Sequence, residues 1–337
     1  MKTGELLQAW GRILSGRRPS LSIEITRECP LRCPGCYAYG DNHLGPSGQL
    51  RLLSDFKGDE LIRRVLDLVD EFKPLHLSIV GGDPLVRFRE LEQLLPELMK
   101  RHIHVQLVTS AFRVLPVGWR RFRKLNLVIS VDGLPREHDE RRKPATYERI
   151  LKNIAGHQEF ISVHCTITAP MLRRPGYLEE FLDFWSARPE IKRIWFSIYS
   201  PQKGELSNEM LSQRQRAETV RVLLGLRQKY SKLDMRREAI QSFLSPPRSP
   251  QECVFARTTH TISADLKTRV TPCQFGGNPD CSQCGCVASV ALHALNDMRT
   301  PIGVKVGTLL KASLLIGEWR RPSPQVPPPP ANRVAAA

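Results

Sequence analysis

The sequence predicts an α/β fold built on a parallel sheet. Short apolar, β-rich segments alternate along the chain with segments of helical periodicity, which is the pattern of repeated strand–helix units. Connections of this kind are right-handed and make neighbouring strands parallel, and ligands bind at the carboxyl ends of such strands. The predicted strands span residues 21–25, 75–80, 104–109, 127–131, 161–168 and 192–199, and the predicted helices span 58–73, 88–101, 117–123, 146–156 and 176–187.

The first predicted strand, LSIEI, leads into three closely spaced cysteines. Cys29, Cys33 and Cys36 lie in the run ECPLRCPGCYAYG. Pro30 and Pro34 interrupt any helix there, so the cysteines lie on a loop at the end of the strand. Thiolates bind soft metals, and three ligands to a four-iron cluster leave one iron open for a small molecule. A structural zinc site, in contrast, is normally closed by four ligands.

This loop resembles the cluster-binding loop of the radical S-adenosylmethionine (radical SAM) superfamily. The resemblance implies that Cys29, Cys33 and Cys36 hold a [4Fe-4S] cluster and that S-adenosylmethionine chelates the fourth iron through its amine and carboxylate. One electron would then cleave the sulfonium and yield a 5'-deoxyadenosyl radical. The family often places an aromatic residue before the third cysteine, where this chain has Gly35, so Tyr37 is the residue expected to cover the adenine.

A second match follows in LHLSIVGGDPL, an apolar strand that ends in Gly81, Gly82 and Asp83. Glycines let the backbone pass close to a ligand, and a carboxylate accepts a hydrogen bond from an ammonium group. The segment resembles the Gly-Gly-Glu-Pro motif of the family, with Asp in place of Glu. The resemblance implies that these three residues seat the methionine end of S-adenosylmethionine. The alternative is an ordinary turn after a strand. It is the weaker interpretation because the segment follows the cysteine loop by about fifty residues, in the order expected for the family's motifs.

A third match lies in LVISVDG and the following LPREHDERR. It resembles a Ser-x-Asp-Gly stretch followed by His-Asp-x-x-Arg in the same family. The resemblance implies that Ser130 and Asp132 lie near the ribose and that Arg142 meets the carboxylate of S-adenosylmethionine. His138 and Asp139 are interpreted as residues that fix the loop.

A second group of cysteines occurs near the C-terminus: Cys253, Cys273, Cys281, Cys284 and Cys286. The segment THTISADLKTRVTPC alternates around Asp265 and predicts a β-hairpin with cysteines on both sides, which is a strong signal for a metal site. The segment resembles the SPASM or twitch type of auxiliary-cluster extension. Because the full pattern needs more cysteines for two clusters, we expect one auxiliary [4Fe-4S] cluster bound by four of the five, with zinc on four thiolates as the alternative. Cys165, within a predicted strand, is interpreted as a buried core thiol.

The sequence thus predicts a partial (β/α)6 TIM-like barrel, the fold that the resemblance implies, with a small C-terminal Cys-rich extension. The predicted division of the chain is an N-terminal amphipathic segment at 1–18, a radical SAM core barrel at 19–206, a helical connector at 207–249, the Cys-rich segment at 250–300, and a C-terminal amphipathic segment with a Pro-rich tail at 301–337.

Composition limits the class of protein. The sequence has no apolar run long enough for a transmembrane helix and no secretory signal. Its nine cysteines are closely spaced, which is typical of metal ligands in a reducing compartment. These features predict a cytoplasmic protein. The chain has 50 Lys and Arg against 34 acidic residues, which suits an anionic partner or a solvated basic surface. The amphipathic segments at 6–18 and 304–321 predict either peripheral contact with the inner face of a membrane or packing on the barrel.

The sequence therefore predicts a radical SAM enzyme with a catalytic [4Fe-4S] cluster, S-adenosylmethionine and a second, auxiliary [4Fe-4S] cluster. An electron donor such as flavodoxin or ferredoxin is the partner that the resemblance implies. The predicted substrate is a peptide or protein side chain or a lipid or isoprenoid, and the sequence identifies no catalytic side chain. The alternative is a non-enzymatic zinc- or iron–sulfur-binding module that contacts nucleic acid or another polyanion.

Overall fold

Seven parallel strands form one sheet in the computed structural model, which describes residues 3–299 and 303–320. The strand order is β6-β5-β4-β3-β2-β1-β7, and every neighbouring pair is parallel. The predicted fold class is confirmed: the sheet is the open, partial TIM-like barrel expected from the sequence. The strands are β1 Ser20–Glu24, β2 His76–Val80, β3 His104–Thr109, β4 Leu125–Ser130, β5 Ile161–Ile167, β6 Ile191–Ile198 and β7 Thr259–Ile262.

Helices connect the strands and cover one face of the sheet. The predicted helix at 117–123 is a 3-10 helix, Val117–Arg121, and a short helix after β4 was not predicted. The α-helices are α1 Thr3–Leu14, α2 Gly58–Phe72, α3 Phe88–Lys100, α4 Pro135–Arg141, α5 Tyr147–Asn153, α6 Tyr177–Ala187, α7 Gln213–Lys229, α8 Arg237–Gln241, α9 Val254–Thr258, α10 Val287–His293 and α11 Val306–Arg320.

The two faces of the sheet differ in polarity because successive side chains of a strand point to opposite sides. Alternate residues such as Leu21 and Ile23 pack against the helices in one large apolar core. The opposite face carries polar side chains that bond across strands: Ser162 donates to Asn126 Oδ1 over 2.8 Å, and Asn126 donates to Gln106 Oε1 over 3.3 Å. A polar inner face is suited to a barrel that holds a polar ligand.

The seventh strand corrects the prediction of a hairpin in the Cys-rich segment. Its residues, β7, join the free edge of β1 in parallel register instead of pairing mainly with the chain that follows. What remains of the hairpin is a single antiparallel bridge between Ile262 and Arg269. The turn between them is closed by Asp265, whose carboxylate accepts the backbone N–H groups of Lys267 and Thr268. The Cys-rich segment therefore begins inside the core sheet.

The helical connector that the sequence predicts at 207–249 is interrupted, because it contains two separate helices, α7 and α8. Helix α7 begins at a capping box in which Ser212 and Gln215 each bond the other's backbone N–H, and it ends at Lys229. Extended residues follow before α8, and Leu233 bridges to Ile194 of β6. The connector thus extends the packing around the sheet.

The terminal helices α1 and α11 pack against each other. A Cβ atom on Gly317 would lie 2.1 Å from the carbonyl oxygen of Ile13, so the two backbones meet at a glycine. Leu310 and Leu314 are buried with Ile13, while Trp319 is 86% exposed. The sequence predicts either membrane contact or packing for these segments, and in the described residues they are packed. In the described ranges no helix is both long and apolar enough to span a bilayer. The predicted Pro-rich tail lies outside the described residues.

Candidate metal and cofactor site

The cysteine loop leaves the carboxyl end of β1 and places three half-buried thiols together. Cys29 Sγ accepts the backbone N–H of Leu31 over 3.4 Å, and the N–H of Cys36 donates to the carbonyl oxygen of Cys33 over 3.3 Å. Burial raises the pKa of Cys29 to about 12 and also raises that of Cys36, with the neighbouring thiols adding to both shifts. Such thiols become thiolates when a cation compensates their charge, so the donor set fits a bound metal cluster.

The end of β2 is hydrogen-bonded to the cysteine loop. The N–H of Gly82 donates to the carbonyl oxygen of Thr26 over 2.8 Å, and the N–H of Asp83 donates to that of Glu28 over 2.9 Å. A Cβ atom on Gly82 would lie 2.0 Å from the carbonyl oxygen of Glu28, and Gly81 has φ of +128°. Both glycines are therefore required for the backbone approach that holds the first cysteine in place.

The carboxylate of Asp83 is buried and fully engaged by the protein. Its Oδ1 accepts the backbone N–H of Leu85 at 3.0 Å and the hydroxyl of Thr109 at 2.7 Å. Its Oδ2 accepts the N–H of Ser110 at 2.8 Å and the Ser110 hydroxyl at 2.5 Å. Burial raises its pKa despite these bonds. A carboxylate offers about four lone-pair sites, and protein donors occupy them. Asp83 thus ties the end of β2 to the end of β3, a role that the sequence did not predict.

Asp132, at the end of β4, is buried between two arginines. Its Oδ2 lies 2.6 Å from a nitrogen of Arg141 and 2.9 Å from a nitrogen of Arg142. Burial opposes ionisation, but the two guanidinium groups outweigh it and keep the pKa of Asp132 well below its usual range. Arg142 lies near Cys33, whose charge also raises the pKa of the guanidinium. The predicted residues Asp132 and Arg142 thus lie together beside the cysteine loop, with Ser130 half-buried at the end of the same strand.

Arg141 is a member of this site that the sequence analysis missed. It forms a bidentate pair with Glu209, at 2.6 and 3.0 Å, in addition to its contact with Asp132. The doubled arginine in HDERR was the available signal. The neighbouring residues His138 and Asp139 fix the loop as expected: the first bonds the N–H of Asp132, and the second accepts the N–H groups that start α5.

Tyr37 lies between the two cysteine groups. Its ring contacts Phe275 edge-on at 5.3 Å and His43 at 5.7 Å between ring centroids. Desolvation raises the pKa of its hydroxyl, and the charges of Glu24 and Cys36 act in the same direction. The structure therefore places Tyr37 against the Cys-rich segment, and its predicted role over the adenine stays a prediction.

A buried polar network connects the end of β1 with the Cys-rich segment. His43 Nε2 lies 2.7 Å from Glu24 Oε1, and Ser263 donates to the other oxygen of Glu24 over 2.5 Å. His43 Nδ1 lies 3.0 Å from the carbonyl oxygen of Phe275, so both ring nitrogens face acceptors. Burial lowers the pKa of His43, but the hydrogen bond and charge of Glu24 outweigh it, and the net shift is upward. The acidic residue within the apolar run LSIEI was the sequence signal for this network.

The five C-terminal cysteines line one cavity, together with Ser200, Phe275 and Ser289. Burial raises the pKa of Cys273 to about 12 and that of Cys281 to about 11. Buried Arg216, on α7, donates to the carbonyl oxygens of Gln283 and Cys284 and so fixes the loop between the last cysteines. The structure thus brings together all five predicted ligands.

The spacing of these donors bears on the kind of metal. Among residues 3–299 and 303–320, no three side chains of His, Cys, Asp or Glu converge closely enough to hold a single ion. A zinc ion draws its sulfur ligands to about 2.3 Å. The two alternatives that the sequence predicts for the C-terminal cysteines, a [4Fe-4S] cluster or zinc on four thiolates, therefore both stay predictions.

Comparison with known proteins identifies the class. Residues 23–184 match the family model of the Radical SAM superfamily. No curated protein matches the sequence. The fold resembles native anSMEcpe with bound AdoMet, with a TM-score of 0.56 and 16% identity over 76% of this chain and 74% of that one.

The fold is also similar to two complexes with peptides. For Streptococcus suis SuiB bound to precursor peptide SuiA, the TM-score is 0.57 at 14% identity, over 93% of this chain and 74% of that one. For anSMEcpe with bound AdoMet and Kp18Cys peptide, it is 0.56 at 16% identity, over 88% and 83%. At these identities the likeness concerns the fold, whereas the family match favours an enzyme over the non-enzymatic alternative. Residues 23–184 thus form a domain of the radical SAM superfamily, and the protein is an enzyme of the radical SAM class.

Proposed function

We propose that this enzyme cleaves S-adenosylmethionine at a [4Fe-4S] cluster held by Cys29, Cys33 and Cys36 and acts on a peptide or protein side chain. The observation that carries the proposal is the convergence of three motifs at the carboxyl ends of adjacent strands. The cysteine loop is bonded to Gly82 and Asp83, and Arg142 lies near Cys33. When bound there, the cluster and S-adenosylmethionine would supply radical chemistry, in which a 5'-deoxyadenosyl radical abstracts hydrogen from, or adds to, a substrate.

The side chains of this chain bind and orient the cosubstrate. The backbone of Gly81 and Gly82 forms the surface for the methionine end, and Asp83 holds that backbone against Ser110. Arg142 presents a guanidinium group for the methionine carboxylate, since such groups bind carboxylates by paired hydrogen bonds. Its position is fixed by Asp132, whose buried charge is balanced by both arginines.

We propose that the C-terminal cysteines hold one auxiliary [4Fe-4S] cluster. Support comes from the cavity that all five cysteines line together. Four of the five are enough for a cluster, and the nine cysteines are free thiols, which agrees with the reducing conditions of the cytoplasm. The support for contact with a membrane is limited to exposed apolar side chains on the terminal helices, among them Leu7, Leu315 and Trp319.

The proposed substrate class is a peptide, because two of the similar structures contain one. The test measures hydrogen transfer into 5'-deoxyadenosine by mass spectrometry, with a deuterated peptide pool or a deuterated lipid extract. We expect deuterium to enter 5'-deoxyadenosine from the peptide pool. Transfer from the lipid extract alone would reject the peptide and support the lipid or isoprenoid.

Iron and sulfide analysis with Mössbauer spectroscopy tests the two cluster sites. We expect about eight irons in reconstituted wild-type protein and about half of that in a Cys29, Cys33 and Cys36 to Ala variant. A variant lacking Cys273, Cys281 and Cys284 should lose the other half. Stoichiometric zinc with iron for one cluster would remove the auxiliary cluster from the proposal.

A further inference from the structure

A cavity of about 580 Å³ opens beside the cysteine loop and is separate from the proposed cofactor site. Among the described residues that line it, Cys29 is the one cluster cysteine, and Gly82 and Arg142 are absent. The cavity therefore adjoins the place of the cluster without enclosing it. Its volume lies within the range of about 300–1,000 Å³ that is typical of ligand pockets, so it can take up several side chains of a bound molecule.

The rim of this cavity is positively charged. The cysteine loop, the segment before α2 and the turn after β3 each contribute arginine, and the four are Arg27, Arg32, Arg51 and Arg113. The last three are exposed to solvent. We refer to this cavity as the arginine pocket.

The charge of the arginine pocket is uncompensated. Its one acidic residue among the described lining, Glu28, is paired with Arg87 at 3.1 Å and with Lys57 at 2.9 Å, and these hydrogen bonds lower its pKa to about 2. Asp55 is paired with the same Arg87 at 2.6 Å. The two carboxylates and the two cations balance each other. Over the described part of the chain, none of the four pocket arginines forms an ion pair with a carboxylate.

Neutral groups hold three of these arginines in place. Arg51 lies over the ring of Tyr39 at 4.4 Å, and Arg113 lies over the ring of Phe88 at 4.0 Å. Arg27 donates to the backbone carbonyl of Arg51 over 2.6 Å. Cation–π and carbonyl contacts orient a guanidinium group without neutralising it. The guanidinium groups are therefore available to an anionic ligand.

The rest of the pocket is largely apolar. Its apolar lining residues are Pro30, Leu31, Leu85, Val86 and Phe112. Next to two of the rim arginines in the chain, Leu52 and Val114 are 76% and 63% exposed. The surface thus combines unpaired cations with apolar area, and a ligand that fits it carries carboxylates beside apolar groups.

We propose that the arginine pocket binds an acidic segment of the peptide substrate, in which carboxylate side chains alternate with apolar ones. This inference rests on the proposed function and concerns a part of the peptide other than the reacting side chain. The carboxylates pair with the guanidinium groups at the rim, and the apolar side chains enter the cavity. Because Cys29 lies in the wall, a segment bound there holds the rest of the peptide beside the catalytic cluster.

The shape of the pocket favours an extended segment over other polyanions. A globular protein presents a convex surface, which would rest on the exposed arginines and leave the apolar lining unfilled. A nucleic acid offers phosphates and sugars to such a rim but few apolar groups to the cavity. An extended peptide, in contrast, places alternate side chains into pockets while its other side chains remain at the rim.

The test measures binding of fluorescein-labelled peptides to the reconstituted holoenzyme by fluorescence anisotropy. The main probe has repeated Glu-Leu-Glu-Gly units, a second has Gln in place of Glu, and a third of equal length is poly-glutamate. The pocket variants are R51Q/R113Q and R51E/R113E, which leave the cysteine loop unchanged. The matched control is R120Q/R123Q, which removes two exposed arginines just before β4, at the opposite end of the sheet.

We expect the wild type to bind the Glu-Leu probe at least about tenfold more tightly than either other probe, and added salt to weaken this binding. Each lost charged hydrogen bond weakens binding by roughly tenfold, so R51Q/R113Q should lose at least that factor and R51E/R113E more. The control variant should bind as the wild type does. Iron content and urea-induced unfolding of the pocket variants should match the wild type, which would show that the loss is local.

Unchanged affinity of the pocket variants for the Glu-Leu probe would overturn the inference. Equal affinity of the wild type for the Glu-Leu probe and either other probe would also overturn it. So would loss of DNA or reduced-flavodoxin binding in the variants with peptide binding retained, and the pocket would then belong to that partner. Formation of 5'-deoxyadenosine without any peptide tests the proposed function separately. If the wild type forms none, the proposed function fails, while the anisotropy measurement still decides whether the pocket binds an acidic segment.

Discussion

Replacing Asp83 with Ala tests the structural role of the aspartate that follows Gly81 and Gly82. The substitution removes a carboxylate that is 2% exposed and accepts hydrogen bonds from Leu85, Thr109 and Ser110. The two hydroxyl donors can rotate toward other acceptors. The two backbone N–H groups cannot move without displacing the ends of β2 and β3.

The magnitude follows from these two kinds of donor. Each buried N–H left without an acceptor costs about 1–3 kcal/mol, and the hydroxyls add less. Part of this loss of stability is offset, because the substitution also removes a buried charge whose desolvation is unfavourable and raises the pKa of Asp83. We therefore expect D83A to lower the free energy of unfolding by about 2–4 kcal/mol. An amide cannot replace the carboxylate, since its NH2 group would face a donor, so D83N should also destabilise.

Urea-induced unfolding of anaerobically purified protein, followed by circular dichroism, measures this effect. The control is D70A, which removes a 59% exposed carboxylate paired with Arg101 and should cost less than about 1 kcal/mol. If Asp83 instead binds the methionine amine directly, D83A would leave the unfolding transition unchanged. It would then weaken S-adenosylmethionine binding by about 1.5–3 kcal/mol, and that result would refute the structural role.

Two further predictions concern the contacts around the cysteine loop. G82A should sharply reduce iron retention at the catalytic site, because the added Cβ would lie 2.0 Å from the carbonyl oxygen of Glu28. The control G118A, whose added Cβ would have no atom within 4 Å, should retain as much iron as the wild type. Equal iron counts in the two variants would contradict this prediction. Because the pKa of His43 is raised by Glu24, its stabilising contribution should be complete below its ordinary pKa of 6.5 and lost as pH rises through the raised pKa. The stability advantage of the wild type over H43Q should therefore shrink from pH 6 toward pH 9 in urea titrations, and a pH-independent difference would reject the charged pair.

The strands and the order of motifs could be predicted from sequence because local signals specify them. Apolar runs such as LSIEI and LHLSIV form strands, the first nearly all buried and the second alternately buried, and the cysteines and glycines follow at their ends. The four residues of β7 were predicted as one arm of a hairpin. Their parallel pairing with the open edge of β1 was not predicted, because it joins segments that are far apart in the sequence. For the terminal helices the sequence allowed either contact with a membrane or packing within the protein. The close approach of Gly317 to Ile13 shows that the two helices pack against each other.

The roles of polar residues in the site were less predictable. A motif gives the identity of Asp83 but not the donors that Ser110 and Thr109 bring from another strand. His43 and Glu24 are 19 residues apart, and only the folded chain shows that they share a buried hydrogen bond. Sequence reasoning finds residues with uncommon chemistry, whereas burial and long-range partners decide what they do.

The most direct test of the proposed function is cleavage of S-adenosylmethionine by anaerobically reconstituted, dithionite-reduced protein, with 5'-deoxyadenosine quantified by chromatography. Wild type should form 5'-deoxyadenosine, and so should C165A, which removes a buried thiol outside both cysteine groups. The variant with Ala at Cys29, Cys33 and Cys36 should form none while it keeps its auxiliary iron. Cleavage by that triple variant at the wild-type rate would contradict the assignment of the catalytic cluster to these cysteines.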